Sequence, residues 1–154
     1  MSAKTAVTVH MQRLYRFSLY VKKRPDITEE EFNRHWSKEH APLVKEWLKR
    51  YGILKYTQYH TPKSLETEAR TKWLELGQLE RQPWDGVVEI TVKDIKDFYD
   101  ARNDPFYIEK VIADEEKFVS NREEASWTIG WEEVYVKDGE CVDMPLGDTK
   151  PGHD

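Results

Sequence analysis

The sequence predicts an α+β domain of the ferredoxin-like βαββαβ arrangement with one inserted helix. Three observations carry that reading. Segments alternating in apolar character with a period of two recur at residues 13–22, 53–60, 87–92 and 126–136. Stretches with a helical repeat fill the first and third intervals between them. A further helical stretch over 64–79, in the second interval, is surplus to the four-strand pattern and reads as the insert.

The first strand sets Tyr15, Phe17, Leu19 and Val21 on one face and Leu14, Arg16, Ser18 and Tyr20 on the other. Pro25 and Asp26 turn the chain into Thr28-Glu29-Glu30-Glu31, a capping box with Ile27 positioned to staple against Phe32. The helix that follows carries an apolar stripe through Phe32, Trp36, position 40, Leu43, Trp47 and Tyr51, and position 40 is a histidine. Pro42 disfavours helical geometry at Ala41, so a kink or restart is expected beside it. Gly52 closes the helix, and the second strand ends at His60. The insert begins near Ser64 with Leu65, Ala69, Trp73, Leu76 and Leu79 on one stripe, and Pro83-Trp84-Asp85-Gly86 ends it before the third strand. Asp94 and Asp104-Pro105 open two shorter helices, and the fourth strand closes the domain. The domain is expected over 13–137, between a flexible N-terminus at 1–12 and a flexible tail at 138–154.

Composition excludes several functions. Charged residues make up 34% and hydrophobic residues 38% of the 154, yet six Trp, eight Tyr and five Phe supply large rings, so the core must be unusually aromatic. The net charge of −5 with interspersed signs argues against nucleic-acid binding, which needs a clustered basic face. No apolar run suits a membrane span or a secretory leader, and the single Cys141 admits no internal disulfide, so a cytoplasmic protein is expected. Metal-binding spacings, a nucleophile elbow and glycine-rich nucleotide loops are missing from the sequence, and no metal site is expected.

Histidines and aromatic residues remain as the chemistry. His40, on a buried stripe beside a proline, suits general acid or base work. His35 lies five positions earlier, about 140° away on a regular helix, and is placed at the edge or surface. His60, at a strand end, is the second candidate. Arg16, Tyr20 and Glu89 in mid-strand, with Trp36, Tyr56, Tyr59, Trp84 and Trp127, are expected to line an aromatic pocket suited to proton transfer on a flat phenolic or enolic molecule. Aromatic residues on the sheet face away from the helices, among them Tyr20 and Trp127 or Trp131, call for a second copy to cover them, hence a homodimer.

The segments Ile27-Thr28-Glu29-Glu30-Glu31-Phe32, His35-Trp36, Glu39-His40-Ala41-Pro42-Leu43, Tyr51-Gly52-Ile53, Tyr59-His60, Asp85-Gly86-Val87, Asp104-Pro105-Phe106-Tyr107, Asp114-Glu115 with Phe118, and Gly130-Trp131-Glu132-Glu133 resemble the EthD family of the dimeric α/β-barrel superfamily. The likeness spans roughly 13–137 and is strongest toward fungal members that tailor aromatic polyketides as dehydratases or decarboxylases. It implies a cofactor-independent lyase acting on an aromatic polyketide acid, and a dimeric α/β barrel in which each subunit keeps a pocket between sheet and helices. His40 and then His60 would be catalytic, and the Trp73 helix would be a lid. In the mechanism expected from the residues themselves, Arg16 holds the substrate carboxylate. Two alternatives use the same scaffold: a cofactor-free or haem-dependent oxygenase, and a non-catalytic aromatic-ligand-binding protein.

Overall fold

The computed structural model describes residues 13–143. The expected flexible N-terminus, and the part of the expected tail from residue 144 onward, lie outside the described residues. Four strands, β1 (Leu14–Val21), β2 (Lys55–His60), β3 (Gly86–Val92) and β4 (Ser126–Glu132), form an antiparallel sheet in the order β2-β3-β1-β4. This is the ferredoxin-like order, with central strands β1 and β3 paired Phe17 to Ile90 and Leu19 to Val88. Residues 136–141, which straddle the expected domain end, fold back as a two-stranded hairpin, β5 (Val136–Lys137) and β6 (Glu140–Cys141).

Helices cover one sheet face. Thr28 caps α1 (Glu29–His35) with the full reciprocal capping box, and α2 (Ala41–Arg50) follows after an interruption at Trp36–His40. Asp94 caps α4 (Ile95–Asn103), and a π-helical segment at Tyr107–Ile112 leads into the single turn α5 (Ala113–Glu115). Val44, Trp47 and Leu48 of α2, Phe98 and Ala101 of α4, and Val111 pack on Ile90 and Val92. Val44 and Leu48 are the buried aliphatic positions of this helix, whereas the expected Leu43 is only half-buried, because the interruption re-phases the stripe after Trp36. A second cluster joins Phe32, Trp36, Val21 and Phe118. Trp47 donates its indole N–H to the Ala101 carbonyl at 3.1 Å, and Tyr51 its hydroxyl to Asp104 at 2.7 Å, so α2 is tied to both ends of the α4 turn.

The insert α3 (Lys63–Lys72), with a 3-10 turn at Leu74–Gln78, buries none of its residues. Together with the 81–84 segment it overhangs Tyr20, Tyr59 and Val87 on the sheet face opposite the helices, enclosing a depression of about 480 Å³. It therefore does not roof a pocket between sheet and helices, as a lid would. Among the described residues, no helix is long and apolar enough to cross a membrane.

One glycine position is dictated by packing. A Cβ on Gly86 would stand 2.5 Å from a ring carbon of Trp36, itself only 1% exposed. Gly86→Ala is expected to overpack this contact and lower the stability by about 1–3 kcal/mol, measured by urea denaturation.

Candidate active site

His40 is 5% exposed and faces a small cavity of about 80 Å³ between the sheet and the helices. Its position follows from the Pro42 interruption. Proline has no N–H to return to the preceding turn, and the chain accommodates it with a π-helical turn, Trp36–His40, in which the Ala41 N–H reaches back five residues to the Trp36 carbonyl. Ala41 itself stays helical (φ −56°, ψ −46°), so the expected break takes the form of one wide turn followed by a restart. Gln58 of β2 donates its side-chain N–H to the same carbonyl at 2.9 Å, clamping the wide turn to the sheet.

The wide turn corrects the reading of His35. On a regular helix the two histidines diverge, but five residues make about one π turn, and both rings point to one carboxylate. Asp114 accepts from His40 Nδ1 at 2.8 Å and lies 3.2 Å from His35 Nε2, while His35 Nδ1 meets Glu39. Asp114 is largely buried, which pushes its carboxyl up, but the hydrogen bonds and charges of His40 and His35 outweigh burial and hold it below the ordinary value. Burial pushes His40 down, against the opposing pull of Asp114. An ionised carboxylate can only accept, so the His40 proton sits on Nδ1. Nε2, which has no hydrogen-bond partner among the described residues, is left as the base.

Glu115 is the second titratable group of the cavity; the sequence marks it only as part of the Asp114-Glu115 segment of the family resemblance, with no role attached. It follows Asp114 on α5 and lines the His40 cavity together with Tyr56, Arg102, Tyr107 and Arg122. Burial pushes its carboxyl up to about 7 against the pull of Arg122 and Arg102. It makes no side-chain hydrogen bond or ion pair among the described residues. The Tyr56 hydroxyl, accepting from Gln58 at 3.0 Å, is pushed by burial to about 12 and stays protonated. The site thus places a neutral imidazole base and a carboxyl poised near neutrality in one cavity, an arrangement suited to removing a proton at one atom and delivering one at another.

The other expected site residues divide between the two sheet faces. Tyr56 lines the His40 cavity. Trp127 pairs with Leu19 and Trp131 with Tyr15, so both take helix-side registers and not the expected face away from the helices; Trp127 lines an adjoining groove of about 440 Å³, 6.3 Å from the Phe17 ring, and is 63% exposed. Trp36 is core, wedged against Phe32 and Gly86, and lines neither space. Arg16, Tyr20, Tyr59 and Glu89 lie at registers that face away from the helices, because alternate residues of a strand point to opposite faces. Arg16 is engaged there by Glu132 at 2.9 Å and Glu89 at 3.7 Å and is not open to hold a substrate carboxylate at His40. Tyr20 and Trp84, 5.9 Å apart, line the depression under the insert. His60 shares the helix-side register of Tyr56, but its ring lies 4.5 Å from Trp36. Its nitrogens are 2.7 Å from Asn33 Oδ1 and 3.1 Å from Gln58 Oε1, and it lines the depression under the insert, not the His40 cavity. No group of three or more His, Cys, Asp or Glu among the described residues is placed to hold a metal ion; His35 and His40 converge on an Asp114 oxygen instead.

The model of the EthD domain matches residues 24–122, which include His35, His40, Asp114, Glu115 and Arg122. The chain belongs to the EthD family. It is 34% identical over 142 residues to the dehydratase aurZ of Gibberella zeae, covering 92% of this chain and 91% of that protein. It is 35% identical to the dehydratase CTB10 of Cercospora beticola over 69% of this chain and 80% of that one. The decarboxylase claH of Passalora fulva is 30% identical over 79% of this chain and 77% of its own. Dehydratases and decarboxylases are both lyases, and this EthD protein is a lyase.

The pKa pattern has a consequence for stability. Glu115 binds its proton more tightly folded, up to about 7, than its ordinary value of 4.5 allows unfolded. Its contribution is full below pH 4.5 and is lost as pH rises toward 7. Glu115→Gln, which cannot ionise, should therefore raise the melting temperature at pH 8 and change it little at pH 4.5, as read by calorimetry across that range.

Proposed function

We propose that this lyase removes water or CO₂ from an aromatic polyketide acid without a cofactor, in the cytoplasm, with His40 and Glu115 as the proton-transferring pair. The observation that carries the reading is the shared cavity: an imidazole whose Nδ1 is fixed by Asp114, and a carboxyl raised to about 7, lining one apolar space with Tyr56. For dehydration, His40 Nε2 takes the proton α to a carbonyl. The C–O bond to the β-hydroxyl breaks as Glu115 supplies a proton, and water departs. For decarboxylation, the C–C bond to the carboxylate breaks, its electrons pass to the ring carbon, and an acid of the pair protonates that carbon as CO₂ leaves. Tyr56, held protonated, is placed to donate to the neighbouring oxygen on which charge develops.

The small cavity and the groove beside β4 share walls at Phe17, Leu19, Phe98, Arg102, Glu115 and Arg122, so the groove is the side from which a flat ring system would approach His40. The aromatic and aliphatic walls fit a planar apolar body, and the titratable groups concentrate at one end.

His40→Gln and Glu115→Gln should each lower kcat by 10²-fold or more, a typical loss for a general acid or base. His60→Ala, outside the cavity, should retain kcat within about threefold. Mass spectrometry of aromatic polyketide acids incubated with the protein reads the reaction as loss of about 18 Da for water or about 44 Da for CO₂. A gain of about 16 Da, or full activity in both cavity variants, overturns the reading.

The working unit we propose is a homodimer. Its support lies at β4, an edge strand whose Trp127, Ile129 and Trp131 are exposed, followed by exposed Val134, Tyr135 and Val136. Light scattering should give twice the chain mass of 18.4 kDa at micromolar concentration, and 18.4 kDa would exclude the dimer.

A further inference from the structure

Two guanidinium groups meet at the rim between the His40 cavity and the groove beside β4. Arg102 of α4 and Arg122, just before β4, both line both spaces. Each donates to the hydroxyl of Tyr107, at 3.2 Å from Arg102 and 2.5 Å from Arg122, so the two nitrogens lie within about 6 Å of each other around one oxygen. Both cations also lie near the Tyr107 ring, at 5.0 and 5.7 Å from its centre, and Arg102 lies 5.8 Å from Phe98. Like charges drawn this close repel unless an anion is shared between them.

No carboxylate fills that role. Among the described residues neither Arg102 nor Arg122 forms an ion pair within 4 Å, although the surface elsewhere pairs its arginines readily, as Arg16, Arg24, Arg70 and Arg81 do. Glu115 acts through its charge on both arginines and Glu116 on Arg122, in each case without a direct contact. Tyr107 offers a hydroxyl oxygen that accepts from both forks and orients them. The contrast with Arg16, the expected carboxylate holder, is sharp, since Arg16 already has Glu132 and Glu89.

We propose that Arg102 and Arg122, oriented by the Tyr107 hydroxyl, form the site that receives the carboxylate of the substrate and so directs its ring system into the His40 cavity. This rests on the acid-substrate reading above and adds the residues that recognise the acid. Planar forks match a carboxylate in two parallel hydrogen bonds, and charge-assisted bonds of this kind contribute enough to separate an acid from its uncharged analogue by tenfold or more.

Isothermal titration of the wild-type protein with 1-hydroxy-2-naphthoic acid and with 1-naphthol tests the site, since the two ligands differ only in the carboxylate. The acid should bind at least tenfold more tightly. Arg102→Gln with Arg122→Gln should weaken the acid about tenfold or more, leave 1-naphthol within about threefold, and abolish the salt dependence of acid binding. The Lys variants at both positions should restore part of the acid preference. Equal binding of the two ligands to the wild type, parallel loss of both in the Gln variant, or no binding of the acid at millimolar concentration overturns the proposal. His40→Gln separates the two readings: it should leave acid binding intact, and undiminished turnover in that variant would sink the catalytic assignment while leaving the arginine site standing.

Discussion

The hydrogen bonds to the Asp114 carboxylate organise the site. A carboxylate taken largely out of water is costly unless its charge is met by donors, and here the donors come from two histidines on one helical turn. Asp114 is on α5, His35 ends α1 and His40 ends the turn joining α1 to α2, so the contact draws together chain segments more than seventy residues apart. It also fixes which His40 nitrogen carries the proton, and therefore which one is left to act on a substrate. Phe118 packs 5.1 Å from the His40 ring and 4.7 Å from the His35 ring, closing the apolar side of the arrangement.

That contact depends on two departures from regular helix. The Trp36–His40 turn brings residues 35 and 40 onto one side, and the Tyr107–Ile112 segment sets the phase in which Asp114 and Glu115 follow. Adjacent residues on a short helix point about 100° apart, so Asp114 can turn to the histidines while Glu115 enters the cavity. One carboxyl is stabilised as an anion and its neighbour is driven toward the neutral acid. The difference arises because hydrogen-bond donors reach the first and not the second.

The sheet imposes a separate constraint. Its two-residue period sends Arg16, Glu89 and Glu132 to one face, where they satisfy one another, and Tyr56, Val88 and Ile90 to the other, where the helices pack. The polar mid-strand residues thus form a closed surface network, and the cations of the cavity rim, which form no ion pair among the described residues, come from α4 and the approach to β4. The face under the insert holds its own aromatic depression, and His60, at its edge, is held apart from the His40 cavity by the buried Trp36.

The order of elements, the capping box at Thr28, the insert and the burial of His40 were all legible in the sequence, because each depends on spacing within a few residues or on a propensity carried by one segment. The family resemblance was legible in the same local runs. Which residues share the cavity was not. His35 looked like a surface group because a regular helix was assumed, and the missing signal was how Pro42 would be accommodated. Glu115 stands in a segment of the family resemblance and Arg122 in none, and the roles of both arise only when α5 and the loop before β4 meet α4 and the sheet. Local sequence determines what each segment forms and which stripe it buries. The tertiary fold alone decides which buried groups face one another, because burial and charge act through space, between residues that the chain keeps far apart.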